Sequence, residues 1–135
     1  MNRMNISFTS VVRPLLSDEE KTQIKTKCSY LITDKAKYIQ YDESVDGCKT
    51  RCRVTVEGDT ITVLRKGEAV SKMVFRKGEK TDFSYIMPFG YIDMTVITDK
   101  LFCSIDNFGG DIELDYRIFS SGEKVSDNKI VIKIS

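Results

Sequence analysis

Apolar and polar residues alternate with a period of two along most of the chain, and no segment sustains the 3.6-residue period of an amphipathic helix. Ile6, Phe8, Ser10 and Val12 share one face of a first strand that should stop at Pro14, which has no N–H to give to a ladder. Residues 24–32 predict a second strand and residues 38–43 a third, with a turn at 33–35 between them. Residues 17–20, Ser-Asp-Glu-Glu, carry the start signal of a helix, but no apolar run follows. Beyond a loop at 44–47, Thr50, Cys52, Val54 and Val56 face one way while Lys49, Arg51 and Arg53 face the other. A tight turn at 57–59 leads into a strand carrying Ile61 and Val63. Ile92, Met94 and Val96 lie on one face of a long segment, and apolar positions resume on odd numbers at Leu101, Cys103 and Ile105, which predicts a bulge near Asp99-Lys100. Ile112, Leu114, Tyr116 and Ile118, then Ile130, Ile132 and Ile134, complete the series.

Turn signals at Lys66-Gly67, Lys77-Gly78, Pro88-Phe89-Gly90, Phe108-Gly109-Gly110 and Ser121-Gly122-Glu123 divide these segments at intervals of about one strand. Eight to ten short antiparallel strands, each apolar on one face, close either as a sandwich or as an up-and-down barrel. Short turns between sequence neighbours favour the barrel. The expectation is an all-β chain forming one barrel domain over residues 1–135. The tetrapeptide Arg-Lys-Gly-Glu occurs twice, at 65–68 and 76–79. In a meander, consecutive hairpins lie at opposite ends, so the copies should be separated by one strand, roughly 25 Å, and cannot grip one phosphate together. Gly67 and Gly78 are both expected to supply positive φ to a turn.

Composition narrows the chemistry. The chain is 41% hydrophobic and 30% charged with a net charge of +1, which describes an ordinary globular domain with no global attraction for polyanions. Its positive charge is concentrated: residues 49–80 carry nine basic and four acidic side chains, while 81–135 carry five and nine. No signal peptide or membrane span is expected, because no apolar run is long enough. With no histidine, neither a Ser-His-Asp nor a Cys-His centre can be assembled, and the glycines form no phosphate loop. Asp111, Glu113 and Asp115 oppose Ile112, Leu114 and Tyr116 in parity, so these carboxylates should face solvent rather than act as an acid–base set. Cys48 and Cys52 would stand ~13 Å apart on an extended strand, too far for one disulfide or one zinc ion. Cys28 and Cys103 fall in phase with apolar neighbours, as small buried hydrophobes do. No metal, cofactor or catalytic residue is expected, and free thiols without an export signal suit a reducing cytoplasm.

The ordered motifs YIQYDES, LRKG, MVFRKGEK, YIMPFG followed by IDMTVIT, and GGDIELDYRI are similar to those of the bacterial YwiB-like family of unknown function, the DUF1934 group. The resemblance runs over about residues 4–135. It implies a calycin-type, lipocalin-like β-barrel and brings no established catalytic residues.

Parity followed to the inner face assembles a candidate site. Ile61, Val63 and Arg65 share a face, so Arg65 should point into the barrel near its end, whereas Arg76 should point out. Tyr41 and Glu43 follow Ile39 inward, Thr50 precedes Cys52, and Tyr85 lies between Phe83 and Met87. Two readings compete. In one, Arg65 and Glu43 form an internal ion pair, buttressed by tyrosine hydroxyls, that fixes strand register. In the other, Arg65 holds the carboxylate or phosphate of a small amphipathic ligand whose apolar body lies among Phe75, Phe83 and Met87. The alternative to interior binding is an outer basic face formed by Lys49, Arg51, Arg53, Lys72 and Arg76 that meets nucleic-acid phosphates or a protein, although it lacks interleaved aromatics for stacking. Association of the basic middle with the acidic C-terminal part would give a weak, salt-sensitive homodimer in place of a monomer.

Overall fold

A computed structural model describes residues 2–45 and 47–135. The described residues form ten strands: β1 (Asn2–Pro14), β2 (Glu20–Ile32), β3 (Lys37–Val45), β4 (Cys48–Glu57), β5 (Thr60–Lys66), β6 (Val70–Phe75), β7 (Lys80–Met87), β8 (Gly90–Asp106), β9 (Gly109–Ser120) and β10 (Glu123–Ile134). Each pairs antiparallel with its sequence neighbours, and β1 pairs with β10, closing an up-and-down barrel. The expected architecture is therefore the observed one. Among the described residues no helix forms, and none could cross a membrane. Of the Ser-Asp-Glu-Glu stretch, residues 17–19 lie in the β1–β2 connection and Glu20 begins β2; no apolar stripe was available to dock a helix. Of the loop expected at 44–47, Asp46 lies outside the described residues.

Closure runs through β1, which meets β10 from Ile6↔Ile134 to Pro14↔Ser126 and β2 from Asn2↔Tyr30 to Val12↔Glu20. Pro14 is its last residue. The bulge in β8 falls as expected, the register with β9 shifting between Thr98 and Lys100. One seam is thin: β6 and β7 share the single pair Val70↔Ile86. Below it the Thr81 hydroxyl donates to the Val74 carbonyl at 2.6 Å. The connection that follows β6 leaves the seam and docks on the bulge, with Gly78 N–H donating to the Thr98 carbonyl at 2.7 Å and Thr98 N–H to the Glu79 carbonyl at 3.2 Å.

The two Arg-Lys-Gly-Glu copies thus sit at opposite ends of the barrel, the first in the β5–β6 turn and the second in the β6–β7 connection. Their glycines differ. Gly78 has φ of +77°, as a turn glycine should. Gly67 does not have positive φ, contrary to expectation. It is required because a Cβ there would stand 2.5 Å from Thr50 Oγ1 on β4, so the missing side chain lets the turn close over its neighbour.

The interior is filled unevenly. At the end bearing the β4–β5 and β8–β9 turns, Ile39, Val54, Ile61, Phe75, Ile112, Leu114 and Ile132 are fully buried, and Phe75 meets Tyr116 edge-on at 4.8 Å. Towards the other end, inward positions carry Ser10, Thr22, Ser71 and Ser126, and these short side chains leave space. At the bulge the buried Thr98 hydroxyl finds no hydrogen-bond partner. Replacing it with a methyl of the same shape removes an unmade bond, so Thr98→Val should leave stability unchanged or raise it by up to about 1 kcal/mol. Phe75→Ala should instead cost roughly 3–5 kcal/mol by opening a cavity. Urea midpoints at constant m-value check both, and a Thr98→Val loss above ~1 kcal/mol would show that the hydroxyl is bonded.

Candidate functional site

At the end of the barrel bearing the β3–β4, β5–β6 and β7–β8 turns lies an interior cavity of about 400 Å³. Phe8, Val63, Met73, Phe83, Met94 and Ile130 supply most of its apolar wall, and Glu43, Arg65, Ser71, Tyr116, Ser126 and Asn128 its polar points.

Arg65 and Glu43 do meet. The inward line Tyr41↔Cys52↔Arg65↔Ser71 crosses β3 to β6, and Glu43 stands opposite Thr50 one step higher. Arg65 on β5 and Glu43 on β3 are separated by β4, two strand spacings or ~10 Å of backbone. Cys52 and Thr50 are the β4 residues between them, and their small size lets the two long side chains reach across. Arg65 Nη1 donates to Glu43 Oε1 at 3.0 Å and Nη2 donates to Oε2, a two-pronged contact matched to the planar guanidinium. The Tyr41 hydroxyl donates to the same Oε1 at 3.4 Å. The Glu43 side chain is 5% exposed and that of Arg65 is 32% exposed, so the carboxylate is the more buried partner, and both residues line the cavity.

Burial opposes the Arg65 charge, but Glu43 beside it outweighs that penalty, and the guanidinium's pKa rises above its usual value. Burial pushes the Cys52 thiol up to about 12, with Arg65 pulling the other way. Tyr41 and Tyr116 are likewise raised by burial. For Tyr116 the rise is opposed first by a hydrogen bond to the Asn128 side chain.

The other expected residues divide. Phe83 and Tyr85 line the cavity, Tyr85 at its mouth with 37% of its surface exposed. Tyr41 braces Glu43 from beneath. Thr50 and Met87 line an adjoining surface hollow under the β5–β6 and β7–β8 turns. Phe75 is corrected: it lies too deep, in the filled end against Tyr116, to bound the cavity. Ser126 and Asn128 were missed. They continue the parity of Ile130, Ile132 and Ile134 by two more steps along β10, and that was the available signal.

On the outside, Arg53↔Leu64↔Lys72 form one cross-strand row and Arg51 is paired with Lys66. Asp42 lies against both Lys49 at 3.4 Å and Arg51 at 3.3 Å, which cancels part of the charge. Arg76 follows β6 at the opposite end of the barrel from Lys49 and donates to the Thr60 hydroxyl at 3.0 Å, so the five residues do not form one stripe. Asp111 and Asp115 do stand outward, as does Glu113, which is paired with Lys100 at 3.1 Å. Cys28, Cys48, Cys52 and Cys103 are all free thiols. Among the described residues no cluster suited to a metal ion occurs.

Removing one partner of the pair strands the other. Glu43→Leu should destabilise the fold by about 3 kcal/mol, the low end for a buried pair because Arg65 is partly exposed, and adding Arg65→Met should recover most of the loss. A double variant no better than the single would mean that the pair is not the origin of the cost. Stability should also fall in alkali. The unfolded chain releases the Cys52 proton near ~8.5–9, whereas the fold holds it to about 12, so this contribution is complete below pH ~9 and is lost as pH rises towards 12. Denaturant midpoints between pH 8 and 10.5 should drop more steeply for the native chain than for Cys52→Ala.

No curated protein matches the chain. The crystal structure of the ywiB protein from Bacillus subtilis has the same fold, with a TM-score of 0.76 at 19% identity, over 98% of this chain and 92% of that one. A family model described as a domain of unknown function, DUF1934, matches residues 6–132. The chain is a member of the DUF1934 family.

Proposed function

We propose that this protein binds a small amphipathic molecule inside its barrel and performs no catalysis on it. The observation that carries the reading is the cavity of about 400 Å³, within the range of small-molecule sites, with an apolar wall and a few fixed polar groups gathered at one open end. Exposed apolar side chains flank that end, with Tyr85, Ile92 and Val125 at its edge, and a ligand projecting from the barrel would cover them. The absence of histidine and the outward placement of Asp111, Glu113 and Asp115 speak for binding rather than turnover. Four unpaired thiols suit action in a reducing cytoplasm.

Protein purified from its own host should carry a small molecule that native mass spectrometry detects and that denaturation releases. The emptied protein should enhance the fluorescence of the uncharged dye phenylnaphthylamine, and Met94→Trp, which fills the cavity from β8, should weaken dye binding at least tenfold. Absence of both a retained molecule and any dye binding would overturn the reading. The second reading, phosphate binding by the outer face, rests on the Arg51, Arg53, Lys66 and Lys72 grouping. It requires retention on heparin that Arg53→Ala with Lys72→Ala abolishes, and elution with the unretained fraction would exclude it.

A further inference from the structure

The cavity holds one cation, Arg65, and one carboxylate, Glu43, already joined by two hydrogen bonds. Their charges cancel within the site. An anionic head group would have to displace Glu43, leaving a buried carboxylate without its partner, or share Arg65 with it and place a second negative charge beside the first. Either course is costly in a poorly solvated interior. A cationic head would add a positive charge beside Arg65, whose own partner is already engaged.

The unmet demand in the cavity is different. Asn128 lines it from β10, is 9% exposed, and its Oδ1 accepts no hydrogen bond. A buried carbonyl oxygen left unpaired is a cost that a donor removes. Asn128 stands opposite Tyr116 in the β9–β10 register, and both side chains line the cavity. Ser126 lies one step along β10 on the same face, and Ser71 and the Arg65–Glu43 pair are the cavity's other polar points, so its polar lining is uncharged in sum.

Resting on the cavity-binding reading above, we infer that the natural ligand carries an uncharged head group with a proton to donate, a hydroxyl or an amide N–H, that bonds to Asn128 Oδ1, on an apolar body lying against Phe8, Val63, Met73 and Ile130. A carboxylate or phosphate diester offers no such proton at neutral pH. A hydroxyl donates to Asn128 and retains lone pairs for a neighbouring donor.

The test displaces phenylnaphthylamine from the full-length protein with decanol, decanoate and decylamine, which share a chain and differ in the head. At pH 8 decanol should bind about tenfold or more tightly than either charged analogue. Decanoate should approach decanol as pH is lowered to 5, where protonation of the acid supplies the missing donor. In Asn128→Leu, decanol should lose about tenfold relative to the dye measured on the same variant, and its advantage over the charged analogues should vanish. Should that variant fail to fold, the ranking in the native chain and its pH dependence still decide the matter. Decanoate binding as well as or better than decanol at pH 8, or an unchanged preference in folded Asn128→Leu, overturns the head-group inference. If the dye binds and all three heads behave alike, the inference falls and the cavity reading stands. If neither dye nor any decyl compound binds, both fall.

Discussion

A closed ladder of ten strands obliges every strand to point alternate side chains at a common interior, and the width of that interior is set by strand number rather than by what is available to fill it. Eight strands make a barrel just wide enough to be plugged by its own side chains or to hold one ligand. Ten strands leave more room, and this chain uses it differently at its two ends. Isoleucine, leucine and phenylalanine plug one end, and serine, threonine and asparagine at equivalent inward positions leave the other hollow. The cavity follows from residue size at inward positions, with no irregularity of the backbone needed to create it.

The Arg65–Glu43 pair belongs to the same geometry. It spans an intervening strand because β4 carries small residues where the two side chains cross, and it leaves the carboxylate the more buried partner, bonded also to the Tyr41 hydroxyl. An ion pair in this position links β3 to β5 without a ladder between them. Because each charge answers the other, the pair leaves no net charge at the hollow end.

Much of this was legible in the sequence because period two leaves little freedom: once Ile61 and Val63 are inward, Arg65 must be as well, and Arg76 out of phase with Phe75 cannot be. The bulge near Asp99 and the strand end at Pro14 were legible for the same reason. Depth along the barrel axis was not, because it depends on strand tilt and stagger, so Phe75 was placed beside a cavity that it lies below. Gly67 resembled every turn glycine in the chain, and its need arises from Thr50, seventeen positions away in sequence and adjacent only after β4 and β5 pair. Asn128 was hidden by its polarity: a search for apolar alternation stops at Ile130, one step before the residue of greatest chemical interest.

The thin seam between β6 and β7 carries a consequence for how the barrel behaves among other proteins. Away from Val70 and Ile86 the two strands do not share a ladder, so their facing backbone groups form the nearest thing to a sheet edge in an otherwise edgeless wall. Such a stretch can recruit a strand from another chain. Lys72 on one side and Lys80 and Asp82 on the other border it, and Arg76, Lys77 and Glu79 crowd the connection that closes its lower end. Part of the positive charge in the middle of the sequence thereby stands beside this thin seam, where a strand from another chain could pair only by desolvating charged side chains.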